Sequence, residues 1–200
     1  MAREGYYIID GDSHVLEPPD LWDEYLENEF RPRSIRITRS ISGRDGEVRG
    51  IRPMMPNSGA QAPSEDLRNL PEMALELKAR MAADEHLIID RQVIMSGGLS
   101  GLGGAETNRA ELPYMTYLDS APLASFDTAE RIKMFDEKGM EGGVVFPTIG
   151  ILWDTPDPRL ADAYCRAYNR WCEDFRATTE IASSRWRTSQ CTTRKWPTPN

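Results

Sequence analysis

Cysteine is scarce. Cys165, Cys172 and Cys191 are the three in 200 residues, an odd count with no paired CxxC spacing, so neither a disulfide framework nor a zinc ribbon is indicated and ordinary thiols are expected. Long apolar runs are missing as well. No segment approaches the roughly 18 residues of a membrane-spanning helix, and Met1 to Tyr7 holds no apolar run of signal length. No membrane partner is expected, and the cytoplasm is the default location. Positive charge is in deficit: the formal net charge is -8 and the pI about 4.9, which would repel a phosphate backbone and excludes an electrostatic footprint for nucleic acid or anionic lipid. Glycines crowd Ser96 to Gly104 without the GxxxxGK spacing of a phosphate cradle. What is present, 40% hydrophobic and 28% charged residues, is the composition of one ordinary globular domain.

The chain alternates in a way that favours an α/β fold. Tyr6 to Asp10 (YYIID) reads as a short buried strand ending abruptly in polar residues. Leu21, Trp22, Tyr25 and Leu26 recur at helical spacing behind Asp20. From Phe30 to Asp66 the composition is mostly Arg, Ser, Gly and Pro, with a hairpin expected where Ile35, Ile37 and Ile41 alternate before a turn at Gly43 to Gly46. That stretch is assigned to an excursion outside the core, part of an irregular region at about 30–120. A helix is expected over Pro71 to Asp84, with Pro71 at its first position.

The clearest unit follows. Asp127 can cap a helix with Glu130 at the capping-box position, and Gly139 stops it. Gly143 to Pro147 is a second strand, and a helix from Asp157 and Pro158 carries Leu160, Ala163, Tyr164, Ala167, Tyr168, Trp171 and Phe175 on one stripe. Strand, helix, strand, helix implies a parallel sheet with helices outside.

Chemistry concentrates after strand one. Asp12 and His14, two residues apart on an extended segment, point to the same face and can grip one divalent ion. Carboxylate with imidazole suits zinc foremost, with manganese or iron as alternatives, each able to lower the pKa of bound water or polarise a substrate oxygen. The bland alternative is that Asp10, Asp12 and His14 only cap a strand and begin a turn.

The run IDGDSHVLEPPDLWDEYL resembles the opening of the amidohydrolase-related family that includes aminocarboxymuconate semialdehyde decarboxylase. Asp10 matches the family's lead Asp, and Asp12 with His14 matches its metal pair, Asp12 replacing the commoner His. DTAERIKMFDEKGMEGGVVFPTIG and DPRLADAYCRAYNRWCEDF resemble the family's second strand with the helices on either side of it. The resemblance implies the N-terminal portion of a (β/α)8 TIM-type barrel of the metal-dependent hydrolase superfamily, incomplete here, with Asp12, His14 and Thr148 at the C-terminal strand ends. It implies metal-dependent hydrolysis of C–N bonds or non-oxidative decarboxylation, on a small organic acid or amide. Glu17 is a candidate for the substrate-binding lining and Trp22 a weaker one, while His86 lies outside the matched segments and is expected at the surface.

Such a barrel takes about 250 residues and further ligands from later strands. Reading Glu180 to Asn200 from the third base of each codon, with permitted codon choices, gives DRLKPVANVPMHDPEVADAE, which resembles strand three and the next helix start. A partial barrel domain over 1–178 with a frameshift-derived tail over 179–200 is therefore expected, inactive alone; an intact single frame at the locus would refute the frameshift. Two other classes remain. Asp10 and Asp12 resemble the DxD strand end of haloacid-dehalogenase-type phosphatases, and a non-catalytic binding domain would need only a turn-capping Asp and His.

Overall fold

Two small sheets of opposite character share one apolar core in the computed structural model, which describes residues 6–39, 71–103, 112–151, 155–177 and 186–188. In chain order the elements are β1 (Ile9–Val15), α1 (Leu21–Tyr25), β2 (Arg36–Arg39), α2 (Glu72–Ala83), β3 (Glu85–Ile89), β4 (Gln92–Ser96), α3 (Tyr117–Ser120), α4 (Thr128–Lys138), β5 (Gly142–Pro147), α5 (Pro158–Ala177) and β6 (Trp186–Thr188). One sheet, in the order β1-β5-β6, is parallel throughout, and the other, β2-β3-β4, is antiparallel.

The parallel sheet follows from local signals. Asp127 accepts hydrogen bonds from the Ala129 and Glu130 amides and so starts α4, and Gly139 ends it at φ 69°, a left-handed conformation that costs glycine little. The chain then turns straight into β5, where Gly143 leaves room for the Phe135 ring: a Cβ there would lie 2.9 Å from Phe135 Cζ. α5 returns over the sheet on the expected stripe, with Leu160, Ala163, Tyr164, Ala167, Tyr168, Trp171 and Phe175 all buried. Trp22 of α1 meets Tyr164 edge-on at 5.8 Å between ring centroids.

Four expectations change. β1 runs from Ile9 to Val15 rather than from Tyr6 to Asp10, because Tyr6 and Tyr7 are exposed while pairing with β5 continues through His14 and Val15. The segment after Phe30 is not outside the core: Ile35 and Ile37 are buried in it, and β2 pairs with β3, about fifty residues later. Ile41 and the turn at 43–46 lie outside the described residues. Cys165 is disulfide-bonded, not an ordinary thiol; Cys172 is free and buried. Pro71 sits one position earlier than expected, as the residue capping α2. Of the tail, Trp186–Thr188 pairs with β5 as β6. No helix among the described residues is long and apolar enough to cross a membrane.

The turn of the antiparallel sheet is tied to the start of α5 by Arg33 and by the Thr155 hydroxyl, which donates to Asp90. Asp90 and Arg91 form the two-residue turn between β3 and β4, both at positive φ (49° and 65°), the backbone that such hairpins require. Arg33 holds that turn with a fork on Asp90 (2.5 and 2.7 Å) and reaches Asp157 at the start of α5 (2.6 Å). The guanidinium keeps both carboxyls below their ordinary range. A depressed folded-state value contributes stability that is complete above the unfolded carboxyl value, about 3.9, and lost as pH falls through the folded one. Arg33→Met is therefore expected to be less stable than the wild type at pH 7 by a margin that narrows at pH 3. Urea unfolding at the two pH values checks this, and an equally wide margin at both would overturn the assignment.

Candidate metal centre at the ends of two parallel strands

The ladder between β1 and β5 slips by one residue. Asp10 pairs with Gly143 but Ser13 pairs with Val145, so Gly11 and Asp12 form a bulge, and regular pairing resumes with His14 opposite Phe146. Bulges re-aim side chains at strand ends. Here Asp10 accepts the Asp12 amide on its Oδ1 at 3.0 Å, and beyond the bulge the alternation is regular: Ser13 and Val15 point inward, while Asp12 and His14 point out. The two outward side chains meet, with His14 Nε2 3.4 Å from Asp12 Oδ1. On its other side the imidazole has Nδ1 3.2 Å from Thr148 Oγ1, in the turn directly after β5, and its ring lies 6.0 Å from that of Phe146.

A buried cation supports the strand from below. Arg131 of α4 is 2% exposed, and its guanidinium donates to the carbonyls of His14 (3.3 and 3.2 Å) and Ala124 (3.2 Å) and to Ser13 Oγ (2.5 Å). Burial pushes the guanidinium down to about 10, with Asp10 pulling the other way. It remains charged at neutral pH. Sequence reasoning missed Arg131, although a signal exists: it stands four residues before the buried Phe135, on the same helical face.

Glu17, expected at the pocket lining, is instead fully buried. Its carboxylate accepts the amides of Thr148 (3.1 Å), Ile149 (2.9 Å) and Gly150 (2.7 Å), so both oxygens are engaged inside the protein. Trp22 is core, at 1% exposure. His86 is on β3 in the other sheet, its Nδ1 3.0 Å from Ser96 Oγ, and the structure does not bring it to Asp12 and His14.

Asp12 and His14 fit a divalent ion as far as two ligands can. Donors about 2.0–2.2 Å from a tetrahedral ion stand about 3.4 Å apart, the observed separation. Their side chains are 86% and 42% exposed, so nothing blocks approach. A ligating histidine is ordinarily held by a hydrogen bond at the ring nitrogen facing away from the metal, and here the Thr148 hydroxyl stands at that place. Among the described residues no group of three or more His, Cys, Asp and Glu side chains gathers around one point.

No family model matches this chain, and no curated protein matches it. Among solved structures it is similar to an amidohydrolase from Mycobacterium avium subsp. paratuberculosis K-10, with a TM-score of 0.53 and 17% identity, over 94% of this chain and 42% of that one. At this identity the likeness is one of fold. A mixed α/β chain with a parallel sheet follows the backbone of an amidohydrolase over less than half of that protein's length.

Proposed function

We propose that the chain carries the first part of a metal-dependent (β/α)8 barrel acting on a small organic acid or amide, by C–N hydrolysis or non-oxidative decarboxylation, with Asp12 and His14 as two of its ligands. The observation that carries this reading is the pairing of Asp12 and His14 at ligand spacing on the C-terminal half of β1, beside the end of the parallel strand β5, the end of the sheet where such folds place their chemistry. The backbone likeness to an amidohydrolase supports it.

Each residue has a part. With Nδ1 facing the Thr148 hydroxyl, His14 can present the lone pair of Nε2 toward the space it shares with Asp12. Asp12 supplies negative charge there, and a cation between the two relieves the repulsion between lone pair and carboxylate. Arg131 fixes the carbonyl of His14 and hence the strand from which the ring projects. A bound divalent ion would activate water or bind a substrate carboxylate.

Two ligands hold an ion weakly, so turnover by this chain alone is expected to be negligible. Zinc titration against a chromophoric chelator is expected to show weak binding at one site, weakened about tenfold or more in Asp12→Asn and His14→Gln. Affinity equal to the wild type in both variants would remove Asp12 and His14 from the site. A tightly held stoichiometric metal surviving purification would contradict the two-ligand reading.

A further inference from the structure

We propose that Glu17 is a positioning residue: it locks the turn after β5 so that the Thr148 hydroxyl sets the orientation of the His14 ring. Three successive amides, those of Thr148, Ile149 and Gly150, all donate to the Glu17 carboxylate. One side chain thereby fixes the whole turn. A carboxylate is expensive to take out of water, and burial pushes this one above its ordinary value, with the three amide bonds pulling it back. An apolar side chain would leave three amide donors, that of Ile149 buried, without this partner, and a single hydroxyl could not serve them all.

The turn is closely packed where it passes Pro147 and Glu17. At Gly150 a Cβ would lie 2.8 Å from Pro147 Cβ and 3.2 Å from Glu17 Oε1. The backbone of Glu17 is held too, since the buried Tyr117 hydroxyl donates to its carbonyl at 2.9 Å. Glu17 stands three residues after His14, while Thr148 stands one after the last residue of β5. The contacts therefore close a ring across two strand ends: His14 along the chain to Glu17, carboxylate to Thr148 amide, Thr148 Oγ1 back to His14 Nδ1. Within that ring the imidazole has its Nδ1 edge fixed and its Nε2 edge turned to Asp12. Glutamine at 17 keeps the shape but presents an NH2 group to amide donors, which loosens the turn without removing the side chain.

The metal-affinity half of the test rests on the proposed function, and the ring-orientation half does not. Long-range 1H–15N spectra of the metal-free protein report the tautomer of each histidine, and with two histidines in the sequence a His86→Gln variant assigns them. Glu17→Gln and Thr148→Val are expected to move the His14 ring nitrogens toward the average of two tautomers and to weaken zinc binding about tenfold or more. Thr148→Ser, which keeps the hydroxyl, is expected to retain both. His14 ring shifts and zinc affinity at wild-type values in Glu17→Gln and Thr148→Val would overturn the proposal. If the wild type binds no zinc, the metal reading fails and the ring shifts alone decide the positioning role. If circular dichroism shows Glu17→Gln unfolded, Gly150→Ala and Thr148→Val decide it, and unchanged ring shifts in both would overturn it.

Discussion

Phe135→Ala is expected to destabilise the protein by about 3–5 kcal/mol, the range for removing a fully buried aromatic ring, out of the roughly 5–15 kcal/mol that holds a domain folded. Phe135 has no exposed surface. Its ring fills the space left open by Gly143, and from there it keeps α4 pressed against β5. Collapse cannot refill that space cheaply, because the strand opposite is held in register with β1. Urea unfolding gives the value directly, and a loss below about 1 kcal/mol would mean that the ring does not bridge helix and sheet.

Arg131→Met is expected to cost about 3 kcal/mol or more. The carbonyls of His14 and Ala124 lose their charged donor inside the protein, and each buried acceptor left without a partner costs about 1–3 kcal/mol. Arg131→Lys should recover part of this only, because one ammonium cannot reproduce the fork that spans Ser13, His14 and Ala124. The guanidinium also lies 5.6 Å over the Phe135 ring, so the two substitutions share a neighbourhood. A double-mutant cycle is expected to show non-additivity of about 0.5 kcal/mol or more. Strict additivity would show that α4 supports the strand and packs under it through separate contacts.

The parts of the fold that were legible in the sequence are those whose signals are local. Asp127, Glu130 and Gly139 mark the ends of α4 within a dozen residues, and the stripe from Leu160 to Phe175 names the buried face of α5 on its own. The outward pairing of Asp12 and His14 was legible for the same reason, since an alternation of two needs no tertiary information. What could not be read depends on partners far along the chain. β2 carries no mark that its mate is β3 rather than its own neighbour. The length of β1 is set by β5, which accepts the bulge at Gly11 and Asp12 and so extends pairing past the polar residues Asp10 and Asp12 to Val15. The burial of Glu17 and Arg131 could not be read from their charge, because a charged residue is ordinarily exposed; only the amides and carbonyls waiting for them inside explain it.

The contact between His14 and Thr148 joins positions 134 residues apart, and that distance matters during synthesis. At about 5–20 residues per second, His14 is made roughly 7–27 s before Thr148. Through that interval the bulged strand has no β5 to set its register, and the newborn chain relies on whatever shields an extended segment until α4 delivers its partner.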